Sequence, residues 1–134
     1  MAKTYRLFIS HSWTYSDAYE KVIKMLNGQY LQYYNHSVPK DDPIHTRGTQ
    51  KELRAAIDAQ MRGCSCVLIL AGVYATYSKW IQEEIQIAKA YRKPIIAIEL
   101  LGSEHTSRIV KDNADRIVVG RGDSIVKAIR ELCN

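Results

Sequence analysis

The sequence lacks an apolar run long enough to cross a bilayer, which takes roughly 20 consecutive residues. Its N-terminus also has no hydrophobic core of the kind found in secretory signals. From these two absences we expect a soluble, cytoplasmic protein that does not contact a membrane. At 134 residues the chain is most simply a single domain spanning residues 1–134, which can bury roughly two thirds of its unfolded surface.

Cysteine is scarce and its count is odd. Cys64, Cys66 and Cys133 are the three cysteines, and without a secretory context we expect them to be reduced thiols. The Cys64-Ser65-Cys66 pair enters an apolar run and has no second Cys or His pair at zinc spacing, so packing in a core strand is the better interpretation. His36 and His45 fall in a polar segment and are expected to be solvated. We therefore expect no metal site.

The chain has no Gly-x-Gly-x-x-Gly segment, so it does not hold a dinucleotide in the way that dehydrogenases do. Its formal net charge is +5, but the basic residues are scattered along the sequence and do not cluster with aromatic residues. That distribution argues against a dedicated nucleic-acid binder. The positive charge is compatible with a small anionic ligand such as a dinucleotide.

Apolar runs alternate with helical patterns along the chain. Strands are predicted at Tyr5–Ile9, Tyr30–Tyr34, Cys66–Leu70, Ile95–Ile98 and Arg116–Val119. Five helices are also predicted. The first ends at Asn27-Gly28, and the second begins at a Thr49/Glu52 capping box. The third spans Ser78–Tyr91, the fourth spans residues 105–111, and the fifth begins at an Asp123 cap. This α/β pattern predicts a three-layer, flavodoxin-like fold with a five-stranded parallel sheet of order 2-1-3-4-5. Residues 35–48 show no periodicity and are expected to form a mobile or ligand-dependent loop.

The helix predicted over residues 78–91 carries a carboxylate on its apolar side. When it is wound at about 100° per residue, Glu84 falls in the middle of the apolar arc, between Trp80 and Ala88. Glu83 lies at the edge of the arc and can reach water. Carboxylates are rarely buried unless they are paired or functional, although a Glu that snorkels to the surface or pairs with a buried Arg is the ordinary alternative.

The predicted topology brings this carboxylate to a common ligand site. In a sheet of order 2-1-3-4-5, ligands bind beyond the carboxyl ends of strands 1 and 3. The Ser10–Ser16 turn, the Gly72–Ser78 turn and the start of the Glu84 helix all converge there. Glu84 is therefore predicted to face a cleft bordered by Ser10 to Ser12.

With these residues in place, the chain resembles the Toll/interleukin-1 receptor (TIR) superfamily, and more closely the TIR-like proteins of bacterial Thoeris anti-phage defence. Phe8-Ile9-Ser10-His11-Ser12 looks like the first box of that family, and Ser78-x-Trp80-x-x-x-Glu84-Ile85 looks like its Ser-x-Trp-x-x-x-Glu helix. Lys93-Pro94-Ile95-Ile96 resembles the entry to its fourth strand. Residues 35–48 lack the Arg-Asp and Pro-Gly features of the animal receptors, and the C-terminal region lacks their Phe-Trp, which favours the bacterial enzymatic branch.

The resemblance implies an enzyme that cleaves the nicotinamide–ribose bond of NAD, with NAD as the substrate and no resident cofactor. It assigns the catalytic role to Glu84. The product would be a cyclic or otherwise modified ADP-ribose that acts on a separate effector protein. Self-association is also implied, because a neighbouring molecule often completes the site in such folds.

Elementary chemistry assigns roles to the residues around Glu84. As the bond to the positively charged nicotinamide breaks, the ribose becomes oxocarbenium-like and an anion beside it is stabilising. The turn formed by Ser10, His11, Ser12 and Trp13 is predicted to bind the substrate, with backbone N–H groups directed at the diphosphate. Trp80 or Trp13 is predicted to stack on a ring. His11 serves equally well as a turn residue that bonds to backbone.

Three other functions share this architecture. A non-enzymatic interaction module of the same fold stays open as the main alternative. A phospho-receiver domain requires an acidic pair after strand 1, where this chain has Ser10-His11-Ser12. A flavin carrier requires a glycine-containing phosphate loop at the same place, and residues 10–16 contain no glycine.

Overall fold

The computed structural model describes residues 4–10, 17–36, 49–70, 79–99 and 108–133. Within these ranges strands and helices alternate. The strands are β1 (Tyr5–Ile9), β2 (Tyr33–Asn35), β3 (Cys66–Leu70), β4 (Ile95–Glu99) and β5 (Arg116–Val119). The helices are α1 (Asp17–Gly28), α2 (Gln50–Arg62), α3 (Lys79–Ala90), α4 (Arg108–Asn113) and α5 (Gly122–Leu132).

The strands form one parallel sheet of order β2-β1-β3-β4-β5, which confirms the predicted topology. Helix contacts divide the helices into two groups, with α1 against α5, and α3 against both α2 and α4. This grouping is the one expected when right-handed crossovers place helices on both faces of a parallel sheet. None of the described helices is both long and apolar enough to cross a membrane.

The core follows from the apolar runs of the three inner strands. The side chains of Leu7, Phe8 and Ile9 in β1 are fully buried, and so are those of residues 66–69 in β3 and 95–98 in β4. Continuous burial of successive residues means that both faces of these strands are covered. The edge strand β5 instead alternates, with Ile117 and Val119 exposed.

Helix α2 begins as the capping pattern predicts. Thr49 is its N-cap, and the Glu52 backbone N–H donates to Thr49 Oγ1 at 3.1 Å. Leu53, Ile57 and Met61 form its buried stripe. A polar cap followed by apolar residues at helical spacing was therefore sufficient to locate this helix and its inward side.

The second strand was predicted at the wrong place. It was expected over Tyr30–Tyr34, but β2 contains only Tyr33–Asn35. Tyr30 has a φ of 56° and is 91 % exposed, and its N–H donates to Asn27 O in the turn that follows α1. Aromatic composition favours strands on average, but this local turn determines the conformation of Tyr30.

The last helix begins at another residue than predicted. Asp123 was expected to be the N-cap of the last helix, but Arg121 is the N-cap and Asp123 lies in the first turn of α5. Its Oδ1 accepts the N–H of Ser124 at 2.9 Å, which is still a favourable place for a carboxylate. The short helix expected over residues 105–111 is described from Arg108 to Asn113.

The loop predicted over residues 35–48 is described only at its start, and residues 37–48 lie outside the described part of the chain. Asn35 belongs to β2. The N–H of His36 donates to Leu7 O at 2.7 Å, and its ring Nδ1 lies 3.2 Å from Gln60 O. His36, which was expected to be solvated, is half-buried, because the end of β2 brings this residue against α2. His45 lies outside the described residues.

Two of the three cysteines are not reduced thiols, contrary to expectation. Cys66 at the start of β3 forms a disulfide with Cys133, which follows α5. The sequence could not indicate this pairing, because it depends on α5 returning beside the amino end of β3. Cys64 is a buried free thiol, and burial raises its pKa to about 11 against the opposing effect of the Lys93 charge. Cys64 therefore stays protonated at neutral pH.

Replacing Cys133 by Ser should lower the free energy of unfolding by about 2–4 kcal/mol, since the bond restrains a long loop of the unfolded chain. The two cysteines are 67 residues apart in the sequence. Urea unfolding in non-reducing buffer measures the loss.

The control is the same pair of proteins unfolded with excess reductant, where the difference should shrink to the small cost of the buried hydroxyl. A difference of equal size with and without reductant would contradict the cross-link.

Candidate functional site

Ser10 follows β1 at the carboxyl edge of the sheet. Its backbone N–H donates to Leu68 O in β3 at 2.9 Å, so the pairing of β1 with β3 continues past Ile9. Its side chain is fully buried. Ser10 is thus fixed between two central strands, at the edge where parallel sheets of this order bind ligands.

The side of helix α3 that faces the sheet is the one predicted from its periodicity. Ile81, Ile85 and Ala88 are buried, while Gln82 and Gln86 are exposed. Glu84 lies on the buried side and is 0 % exposed. The prediction that Glu84 lies in the apolar, inward-facing arc of this helix is therefore confirmed by its burial.

The hydroxyl of Ser10 donates to Glu84 Oε1 at 3.0 Å, in a buried contact between residues 74 positions apart in the sequence. Hydrogen bonds to a charged group contribute about 1.5–3 kcal/mol, and a buried carboxylate without a donor costs several kcal/mol. Two residues that the sequence assigned to the site are therefore in direct contact. The fold positions them by placing α3 over the carboxyl end of β1.

The Glu84 carboxylate is enclosed, and the predicted cleft bordered by Ser10 to Ser12 stays a prediction because His11 and Ser12 lie outside the described residues. With no solvent-exposed surface, it can meet a ligand only after the groups around it move apart. A helical-wheel argument gives the direction of a side chain around the helix axis and not its depth below the surface. The sequence therefore predicted the orientation of Glu84, and its full burial is what the structure adds.

The adjacent carboxylate, Glu83, has different surroundings. Its side chain is 35 % exposed and forms an ion pair with Arg54 of α2. The predicted access of Glu83 to water is confirmed, whereas its pairing with Arg54 was not predicted. Arg54 is an exposed helical residue with no sequence signal for a partner, and only the packing of α2 against α3 brings the two together.

The remaining predicted site residues are described incompletely. His11, Ser12 and Trp13 lie outside the described residues. Trp80 is the second residue of α3, and its side chain is outside the described part. Among the described residues no group of three or more His, Cys, Asp or Glu side chains is arranged to hold a metal ion.

A family model described as "Thoeris protein ThsB, TIR-like domain" matches residues 8–105. This range includes Ser10, Trp80 and Glu84. None of the curated proteins compared with the chain matches it.

Two solved structures are similar over nearly their whole length. The CMP N-glycosidase BcmB of Clostridium botulinum has a TM-score of 0.59 and 14 % identity, over 94 % of this chain and 98 % of that one. A 3-dehydroquinate dehydratase-like protein from Bifidobacterium longum has a TM-score of 0.51 and 8 % identity, over 98 % and 95 %. At such identities the similarity shows the fold alone.

Replacing Ser10 by Ala should destabilise the protein by about 1–3 kcal/mol, because Glu84 loses a buried donor. In a protein that already carries Glu84→Gln, the same Ser10 change should cost less than half as much, since a neutral amide depends less on that donor. Chemical unfolding of the four proteins of this double-mutant cycle measures the coupling.

A parallel cycle of Ser10→Ala with Glu83→Gln serves as the control and should show no coupling. Equal costs of Ser10→Ala with Glu84 present and with Glu84→Gln would mean that the hydroxyl does not stabilise a charged carboxylate.

Proposed function

The chain belongs to the Thoeris ThsB TIR-like domain family, and on that basis we propose that it is an enzyme that cleaves the nicotinamide–ribose bond of NAD. Its product is an ADP-ribose-derived signalling molecule, cyclic in form, that activates a separate effector protein in the cytoplasm during anti-phage defence. Glu84 is the catalytic residue. Ser10 positions it, and the turn that follows Ser10 binds the substrate together with Trp80.

The proposed reaction needs little help at the leaving group. The bond between ribose C1′ and the nicotinamide nitrogen breaks, and its electron pair neutralises the positive charge of the nicotinamide ring. The ribose is left oxocarbenium-like, and a carboxylate at the sugar stabilises this charge. A nucleophilic atom of the ADP-ribose itself then bonds to C1′ and releases a proton, which closes the ring of the cyclic product, whereas attack by a water oxygen at C1′ gives linear ADP-ribose.

The observation that carries the proposal is the buried Ser10–Glu84 pair at the carboxyl ends of β1 and β3. A carboxylate in a desolvated place interacts more strongly with a developing positive charge than one in water. The pair also lies where the strand order reverses direction, which is the usual ligand site of open α/β sheets.

The enclosed state of Glu84 has a mechanistic consequence. Substrate binding must separate the groups that cover the carboxylate, and a ribose hydroxyl can then replace the Ser10 hydroxyl as donor to Oε1. The energetic cost of breaking one charge-assisted hydrogen bond is thereby recovered by forming another. We therefore expect the protein alone to be a slow enzyme until its site is opened.

The reaction class also suits the fold. By its name, the Clostridium botulinum relative acts on an N-glycosidic bond, and the bond broken in NAD likewise joins a ring nitrogen to ribose. The similarity of the two folds supports compatibility with this chemistry and does not identify a substrate.

A non-enzymatic interaction module is the second candidate, and the same enclosure favours it. A carboxylate that is fully buried and already bonded to Ser10 is also what a purely structural role would require. The two candidates differ in one measurable property, because only the enzyme consumes NAD.

Replacing Glu84 by Gln should reduce NAD cleavage by at least about a hundredfold, comparable to losing one preorganised electrostatic partner. The fold should survive, because the amide keeps the shape and accepts the same bond from Ser10. Nicotinamide release followed by mass spectrometry of the products measures the effect, with and without lysate of infected cells as the inducer.

Glu83→Gln is the matched control, since it removes the same charge from the residue next to Glu84. Glu83 itself belongs to a partly exposed ion pair with Arg54. The substitution should change activity only a few-fold. Loss of product with Glu83→Gln and full activity with Glu84→Gln would show that the catalytic assignment is wrong, and no NAD consumption under any condition would favour the interaction module.

Turnover per molecule should rise with protein concentration, because we propose that a second copy opens or completes the site. Activity assays across a wide dilution series, paired with light scattering, test this. A turnover number that stays constant while the molecular mass changes would contradict a role for self-association in catalysis.

A further inference from the structure

A concave surface lies at the opposite edge of the sheet from Ser10 and Glu84. It is an open cavity of about 530 Å³ at the amino ends of β1, β3 and β4. Its walls are formed by residues 4 and 6 around the start of β1, residues 63–65 before β3, residues 91–94 before β4, and Leu132 of α5. We refer to this surface as the amino-edge cavity.

Three cationic side chains line the amino-edge cavity. They are Arg6 of β1 and the consecutive residues Arg92 and Lys93, and the described lining contains no carboxylate. Among the described residues none of the three forms an ion pair with Asp or Glu. Three cations without an ion pair around one concavity produce a locally positive potential.

The carboxylates nearest to the cavity already have partners. Asp58 accepts the Tyr91 hydroxyl at 2.6 Å and the Arg62 guanidinium at 3.2 Å. Asp115, which lines an adjoining groove with Arg92 and Lys93, accepts the Ile95 backbone N–H at 2.8 Å. Asp58 is thus paired with Arg62, whereas Asp115 accepts only a neutral N–H and keeps its charge, which offsets part of the positive potential on the side of Arg92 and Lys93.

Helix dipoles explain only part of this distribution. In this fold the carboxyl ends of the helices lie at the amino edge of the sheet, and cations are favoured there without any ligand. That argument covers Arg92, which follows α3. It also covers Lys93, whose backbone N–H donates to Ala88 O at the end of α3, but it does not cover Arg6, which is a strand residue.

We propose that the amino-edge cavity binds a small anion with two or more phosphate charges. Arginine forks match phosphate oxygens in pairs, and the site offers two of them with one ammonium group. Ser65 adds a hydroxyl whose oxygen accepts the Arg6 backbone N–H at 3.2 Å. Because the hydroxyl is the acceptor in this bond, its own proton can be donated to an anion. The volume lies within the range of roughly 300–1,000 Å³ that is usual for small-molecule sites.

The concave shape distinguishes this ligand from a nucleic acid strand. A strand follows an extended basic groove with aromatic side chains on which bases stack. Of the aromatic rings near the cavity, Tyr91 is covered by Arg62 at 5.9 Å from its centroid and Tyr34 by Arg6 at 5.2 Å. Because guanidinium groups cover these rings, the rings do not offer a free face on which bases could stack. The cations of the cavity are therefore better suited to a compact anion.

The test is a titration of the full chain with pyrophosphate at constant ionic strength, followed by isothermal calorimetry and by backbone amide NMR shifts. The wild-type protein should bind, with the largest shifts at Arg6, Ser65 and Lys93. Arg6→Gln combined with Lys93→Gln should weaken binding by about tenfold or more, as expected for the loss of charge-assisted hydrogen bonds.

Lys24→Gln combined with Lys51→Gln is the matched control, because both lysines are exposed on helices and the change in net charge is the same. This control should bind pyrophosphate like the wild-type protein. Equal weakening by both double variants, shifts centred on Ser10 and the start of α1, or no binding at all would each overturn the proposal. Tighter binding of an oligonucleotide than of pyrophosphate, lost with the same two substitutions, would overturn it in favour of a nucleic-acid site.

Discussion

The hydrogen bond between Ser10 and Glu84 is the interaction on which the candidate site depends. Moving an ionised carboxylate out of water costs several kcal/mol, and a hydroxyl donor at 3.0 Å returns only part of it. A side chain under this constraint has few alternative positions. The apolar face of α3 packs on the sheet and directs Glu84 at the end of β1, where the Ser10 hydroxyl holds the carboxylate in place before any ligand arrives.

Sheet order is what brings the two residues together. β1 and β3 are neighbours in space but are separated by α1, β2 and α2 along the chain. The N–H of Ser10 bonds to β3, and α3 follows β3 and returns across the same region. A strand order that separated β1 from β3 would place α3 over a different strand end. The site is thus a consequence of topology, and local sequence supplies only the side chains.

The features that could be predicted from the sequence are those set by periodicity. Continuous apolar runs indicated the inner strands, and the phase of the α3 helix distinguished Glu84 from Glu83. The features that could not be predicted depend on contacts between distant segments. They include the enclosure of Glu84, the Arg54–Glu83 ion pair and the bond between Cys66 and Cys133. The basic residues are a clear case, since Arg6 lies far in sequence from the adjacent Arg92 and Lys93 and yet all three line one cavity.

The two edges of the sheet differ in electrostatic character, and the difference bears on how Glu84 is stabilised. In a parallel α/β fold the helix N-termini lie at the carboxyl edge, where their dipoles favour anions by about 0.3–1 kcal/mol within the first turn. Glu84 lies beyond the first turn of α3, which begins at Lys79, so the helix dipole stabilises it little. The hydrogen bond from Ser10, at about 1.5–3 kcal/mol for a charged acceptor, stabilises the carboxylate more than the dipole does. A carboxylate held by a hydroxyl donor can exchange that donor for a ligand hydroxyl. A carboxylate stabilised by a fixed helix dipole would have no donor to exchange.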